Sequence, residues 1–132
     1  MSEGLTSKFL KQAFQFQEEK HYKQAIEALY KALCIESDNI EILSQISHLY
    51  YLMNNFERSL EYAEKILDIN PDHIETLKIV VNINKINKKY ARALNFAQKL
   101  YKLSPQLEHF TTYLEMLTEC SQFNTVINEI EE

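Results

Sequence analysis

Glycine and proline are nearly missing from this chain of 132 residues: there is one glycine, Gly4, and there are two prolines, Pro71 and Pro105. All-β folds need turn residues at every strand reversal, so this scarcity argues for helices. With Gly4 near the start, the chain has no glycine-rich loop to cradle a phosphate and no glycine-flanked nucleophile. No apolar run approaches the length of a membrane span. Positive charge is not in excess either: 14 Lys and Arg against 19 Asp and Glu give a net charge of −5. A general nucleic-acid binder draws much of its affinity from neutralising phosphates, so no nucleic-acid partner is expected. The four histidines, His21, His48, His73 and His109, are scattered, and none has metal-ligand spacing with another His or a Cys. His21, His73 and His109 read as solvated surface. The carboxylates Glu57, Glu61 and Glu64, like Glu129, Glu131 and Glu132, read as exposed helix faces. No catalytic residue, metal or cofactor is therefore expected, and the chain reads as a non-enzyme. The opening Met1-Ser2-Glu3-Gly4 lacks a basic stretch followed by an apolar core, so no secretory signal is visible.

What is present is a period. Hydrophobic residues make up 45% and charged residues 25%, an ordinary globular mix. An aromatic followed by a small residue and an aliphatic occurs as Tyr22-Ala25-Ile26, Phe56-Ser59-Leu60 and Tyr90-Ala93-Leu94, with the aromatics 34 residues apart. Ile35 with Ser37, Ile69 with Pro71 and Leu103 with Pro105 repeat on the same beat, as do Ala32-Leu33, Ile66-Leu67 and Leu100-Tyr101. A weaker fourth copy has Phe123, Val126 and Ile127, one residue early. A fixed period in this range is the signature of stacked helix–turn–helix units, because one such unit cannot bury its apolar face alone.

At these residues the chain resembles the tetratricopeptide repeat family. The 34-residue pattern of that family asks for a small residue (Ala25, Ser59, Ala93), an aromatic (Tyr22, Phe56, Tyr90) and a proline (Pro71, Pro105). The resemblance implies one domain over residues 1–132, with repeats at about 6–39, 40–73 and 74–107 and a partial or capping unit at 108–132. Its expected fold class is an all-α right-handed solenoid of antiparallel helix pairs, about three and a half repeats long. Some positions depart. The family often has Gly where the two helices cross closely, and here Ala13, Ser47 and Val81 stand there. Val81 is expected to push its helices apart. Asn84 replaces the aromatic found at Phe16 and Tyr50, and Phe9, Leu43 and Leu77 hold the early Trp position.

Helical spacing predicts a first helix after Ser7, running to about Glu18, and a second over Tyr22 to Ile35. Helices follow near 40–53, 56–69, 74–87 and 90–103. Pro71 stops the fourth by removing a backbone donor, and Asp72 is the expected cap of the fifth. The fourth unit is predicted as a helix near 107–120 and a short last helix from Phe123. No stop signal follows Phe123 of the kind seen earlier, which favours a piece of a longer protein over a minimal cap. Cys34 and Cys120 lie in the first and last repeats, which stacked repeats do not bring together, so no disulfide is expected. Free thiols agree with a cytoplasmic, reducing location.

In the family, the first helices of the repeats line a concave groove. Its positions, carried over by phase, include Leu10 and Phe14 in repeat one, and His48, Tyr51 and Leu52 in repeat two. Repeat three contributes Lys78, Asn82 and Lys85, and the fourth unit His109, Thr112 and Met116. The first half is apolar and aromatic, suited to anchoring a ligand. The second is polar and partly basic, suited to a peptide backbone and to carboxylates. Chaperone-binding members hold a C-terminal carboxylate with Lys, Asn and Arg. Here Leu10, Phe14, Gln45, Glu75 and Ile79 stand at those positions, so no such clamp is expected. The reading is a protein–protein interaction module or scaffold that binds a protein or peptide partner. The alternatives are self-association into a homo-oligomer and a targeting domain attached to a downstream enzyme.

Overall fold

The computed structural model describes the backbone of residues 2–131 and the side chains of residues 4–121. Seven helices follow one another: α1 (Ser2–Glu18), α2 (Tyr22–Ile35), α3 (Ile40–Leu52), α4 (Phe56–Ile69), α5 (Ile74–Ile86), α6 (Tyr90–Leu103) and α7 (Leu107–Glu131). No strand occurs among the described residues. The aromatic markers hold equivalent places: Tyr22, Phe56 and Tyr90 are the first residues of α2, α4 and α6.

The turn inside each helix pair is built the same way three times. Lys20, Asn54 and Lys88, 34 residues apart, all adopt positive φ, at 62°, 61° and 60°. In each turn the following residue donates its N–H back across the helix end: His21 to the Phe16 carbonyl at 2.8 Å, Asn55 to Tyr50 at 2.9 Å and Lys89 to Asn84 at 2.8 Å. The positive-φ residue itself donates to Gln17, Tyr51 and Lys85 respectively. This pair of bonds is the Schellman end, which satisfies carbonyls the helix leaves open and usually places glycine at the left-handed position. Two of the three positions here are lysine.

The chain divides into two compact units, Met1–Pro71 and Asp72–Glu132. In the first, α1 packs on α2, α2 on α3 and α3 on α4. Its core joins Ala25, Leu29 and Ala32 of α2, Ile42, Ile46 and Leu49 of α3 and Ile66 of α4, all fully buried. Each buried Leu or Ile contributes roughly 1.5–3 kcal/mol relative to exposure. Where α3 crosses α4, the small residues form a reciprocal lock: Ser47 Oγ donates to the Ser59 carbonyl at 2.9 Å, and Ser59 Oγ to the Ser47 carbonyl at 2.8 Å. Three tyrosines tie three helices together. The Tyr30 and Tyr50 hydroxyls lie 2.6 Å apart, and the Tyr62 hydroxyl donates to Tyr30 at 3.1 Å. Burial, then the bond to Tyr30, pushes the Tyr50 phenol up to about 12. Burial also raises Tyr30.

In the second unit α6 packs against both α5 and α7, around Val81, Ala93, Ala97 and Met116. Asn84 is buried, and its amide donates to the Val80 carbonyl one turn back, at 2.8 Å. No tyrosine network like that of the first unit can form through this side chain.

Three expectations are corrected. Helix α1 begins at Ser2 rather than after Ser7, because Ser2–Ser7 holds no proline, and Gly4 weakens a helix without stopping it. His73, not Asp72, is the N-cap of α5: its ring nitrogen Nδ1 lies 2.8 Å from Thr76 Oγ1 and accepts the Thr76 N–H at 3.4 Å. Asp72 instead meets Lys99 at 3.5 Å. The predicted break before Phe123 is absent, and α7 runs as one helix to Glu131. Gln122 occupies the phase of Lys20, Asn54 and Lys88, yet no Gly, Pro or Asn pair there favours leaving the helix.

Candidate binding faces

In the first unit the candidate residues lie on α1 and α3. Leu10 is half-buried and packs against the core, so part of its surface is already used. Phe14 is 63% exposed, although nearby Ala13 is fully buried. On α3, His48 is exposed and Leu52 is 42% exposed. Tyr51 is half-buried because its ring packs on Phe56, with centroids 5.6 Å apart. The helical phase explains the split. Ile42, Ile46 and Leu49 point into the core, which turns His48 and Leu52 outward. Phe14 and Leu52 are thus large apolar side chains with no structural role in the core.

In the second unit, Lys78, Asn82 and Lys85 share one face of α5. Two of the three already have partners. Lys78 Nζ lies 3.7 Å from Glu75, and Lys85 Nζ lies 2.7 Å from Glu115 of α7. No pattern in sequence links Lys85 to Glu115, which stands 30 positions on and in a different helix. Asn82 is exposed.

Beside Asn82, a cleft of about 60 Å³ is lined by Lys78, Val81 and Asn82 of α5, Leu100 of α6 and Glu108, His109 and Thr112 of α7. His109 is not solvated surface as expected: it is only 2% exposed. Its Nδ1 lies 2.7 Å from the Ser104 carbonyl, at the end of α6. His73 likewise has a structural task, as the cap of α5. Met116, another candidate, is fully buried in the core. The only sequence feature that goes with the His109–Ser104 contact is a histidine a few residues past the helix stop at Ser104-Pro105, and it does not by itself set His109 apart from a surface residue.

A wider cleft of about 560 Å³ opens at the start of α6, lined by Lys88, Lys89, Tyr90, Arg92, Leu94 and Cys120 among others. Both cysteines are free thiols. Among the described residues no group of His, Cys, Asp or Glu is arranged to hold a metal ion, and no helix is long and apolar enough to cross a membrane.

Residues 16–79 match the sequence profile described as tetratricopeptide repeat. No curated protein matches the chain in sequence. Solved structures match in fold. The MamA RS-1 ArsTM double mutant is 15% identical, with a TM-score of 0.84 over 96% of this chain and 72% of its own. The first TPR of Spaghetti (RPAP3), bound to the HSP90 peptide SRMEEVD, is 11% identical, with a TM-score of 0.79 over 88% of this chain and 93% of its own. The Sgt2 TPR domain from Aspergillus fumigatus is 17% identical, with a TM-score of 0.77 over 91% of this chain and 82% of its own.

Proposed function

Because the chain belongs to the tetratricopeptide repeat family, we propose that it is a protein–protein interaction module, which takes an extended peptide or a partner helix on the first helices of its repeats. The observation that carries this reading is the exposure of Phe14 and Leu52. Each leaves an apolar side chain in water at a position the core does not need, where it is available to anchor an apolar group of a ligand. The Spaghetti domain, which shares the fold, holds a peptide ending in Glu-Glu-Val-Asp. Leu10, Phe14, Gln45, Glu75 and Ile79 give this chain none of the cations that would fix such a carboxylate, so its ligand has different chemistry. The first unit suits apolar side chains. Glu75 of α5 and Glu115 of α7 offset Lys78 and Lys85, so an acidic group must displace an internal partner to bind there. A cytoplasmic location goes with this reading, since both thiols are free.

The test is a pull-down comparing wild type with Phe14→Ala/Leu52→Ala and Lys78→Glu/Lys85→Glu. Loss of a partner with the first variant is the expected result. Retention of the same partners by all three proteins sinks the proposal. Self-association is a second reading, favoured by one feature. Leu107, Phe110, Leu114 and Leu117 of α7 are exposed at alternating spacings of three and four, the seam pattern of paired helices. Light scattering that reports a monomer across a concentration series removes it.

A further inference from the structure

We infer that the wide cleft at the start of α6 docks an acidic segment of a protein partner, one that carries a leucine or an aromatic side chain among its carboxylates. This rests on the protein-interaction reading above and gives it a second surface, on α6 and α7. The cleft measures about 560 Å³, within the range of ligand-binding clefts. Its lining has two parts. Tyr90, Leu94 and Cys120 are half-buried and, with Ala91, supply apolar wall, whereas Lys88, Lys89 and Arg92 are exposed. No carboxylate lines the cleft among the described residues.

The charge of the partner follows from what these cations lack. Lys78, Lys85 and Lys99 of the same unit each meet a carboxylate, at 3.7, 2.7 and 3.5 Å. Lys88, Lys89 and Arg92 meet none among the described residues, and Glu119, next to Cys120, pairs with none of them. An acidic group that binds at Lys78 or Lys85 displaces an internal partner, and in this cleft it displaces none. The whole chain carries a net charge of −5, so the cleft is a local reversal of sign. A long polyanion such as a nucleic acid meets the negative remainder of the protein, which a short acidic segment avoids. Charge alone does not hold such a segment, because an exposed ion pair strengthens binding roughly fivefold at most. The side chain that covers Tyr90 and Leu94 must supply the rest, and a larger apolar group supplies more. A Glu-Glu-Val-Asp tail, whose one apolar side chain is a valine, falls short and serves as the negative control.

The experiment is selection from a random-peptide phage library on the intact chain, then titration of the selected peptides. Wild type is expected to enrich peptides with Asp or Glu on both sides of a Leu, Phe or Tyr. Such a peptide should bind about tenfold more weakly to Lys89→Glu/Arg92→Glu, which removes two ion pairs and adds two repulsions. Lys11→Glu/Lys23→Glu makes the same change in net charge at exposed positions of the first unit, and should alter the affinity less than about twofold, since distant charges are screened. Circular dichroism checks both folds, and Lys89→Gln/Arg92→Gln, expected to weaken binding about threefold, serves if the glutamate variant does not fold. The bound peptide should also slow alkylation of Cys120 by iodoacetamide, while Cys34 of the first unit reacts as before. Selection of no acidic peptide, equal binding of acidic peptides to Lys89→Glu/Arg92→Glu, or an unprotected Cys120 would overturn the cleft and leave the interaction function standing. Displacement of the peptide by an equal concentration of inorganic phosphate would show a simple anion site and overturn it likewise. Failure to select any peptide would overturn the interaction function itself, and the cleft with it.

Discussion

Replacing Lys88 by glycine is expected to stabilise the protein. Lys88 is exposed, at φ 60°, in the Schellman turn between α5 and α6. A side chain with a Cβ costs about 1–2 kcal/mol in the left-handed region. Glycine escapes that cost but loses about 0.5–1 kcal/mol more freedom on folding. The balance is a gain of about 0.5–1 kcal/mol at Lys88, and the same at Lys20, which has equivalent geometry. Asn54 tolerates the left-handed region better than lysine, so Asn54→Gly should gain only a few tenths of a kcal/mol. The assay is urea unfolding followed by circular dichroism. With a urea slope of about 2 kcal/mol per molar, the midpoint should rise by about 0.3–0.5 M for Lys88→Gly. Lys88→Ala is the control: it removes the charge and keeps the Cβ, so its midpoint should stay near wild type. Repeat arrays can unfold in parts, so amide exchange of α5 and α6 gives a second, local reading. Equal midpoints for Lys88→Gly and Lys88→Ala would refute the reasoning.

Other expectations follow from the interior. Ser47→Ala and Ser59→Ala should each cost about 1 kcal/mol, and the double variant should depart from their sum because the two hydroxyls share one reciprocal lock; additive unfolding energies would deny the coupling. The Tyr50 phenol is held up to about 12 against an ordinary value of 10, so folding favours its neutral form. That contribution is whole below pH 10 and is lost as pH climbs from 10 through about 12. Denaturation at a series of alkaline pH values should show the loss, and Tyr50→Phe should flatten it. The Lys85–Glu115 pair is short, yet its two side chains are 41% and 43% exposed. A double-mutant cycle on the pair should give less than about 1 kcal/mol. Peptides ending in Glu-Glu-Val-Asp should give no heat of binding in calorimetry.

Much of the helical frame was legible because it repeats. Tyr22, Phe56 and Tyr90 announced three helix starts, and Pro71 and Pro105 announced two ends, since a period carries its own check. What does not repeat was harder to read. Lysine carries no signal for positive φ, so the shared turn at Lys20 and Lys88 emerged only from the backbone. His109 looked like surface because its partner is the backbone carbonyl of Ser104, and the environment of such a group is invisible in sequence. The continuation of α7 past Gln122 is not legible because the weak fourth copy of the pattern suggests a new helix from Phe123, although no turn chemistry separates it from the helix before. Among the candidate binding residues, exposure separated those free to bind (Phe14, Leu52) from those largely in use. Leu10 supports the core, and Tyr51 supports Phe56.

The tyrosine cluster has a consequence for how the first unit comes apart. Tyr30 belongs to the first repeat, and Tyr50 and Tyr62 belong to the second, so the joint between the repeats is sewn by hydroxyl groups as well as by oil-like contact. Peeling α1 and α2 away breaks the bonds that Tyr30 makes to both Tyr50 and Tyr62. The two hairpins should therefore melt together, as one cooperative block, where a joint made of aliphatic side chains alone could fray one hairpin at a time.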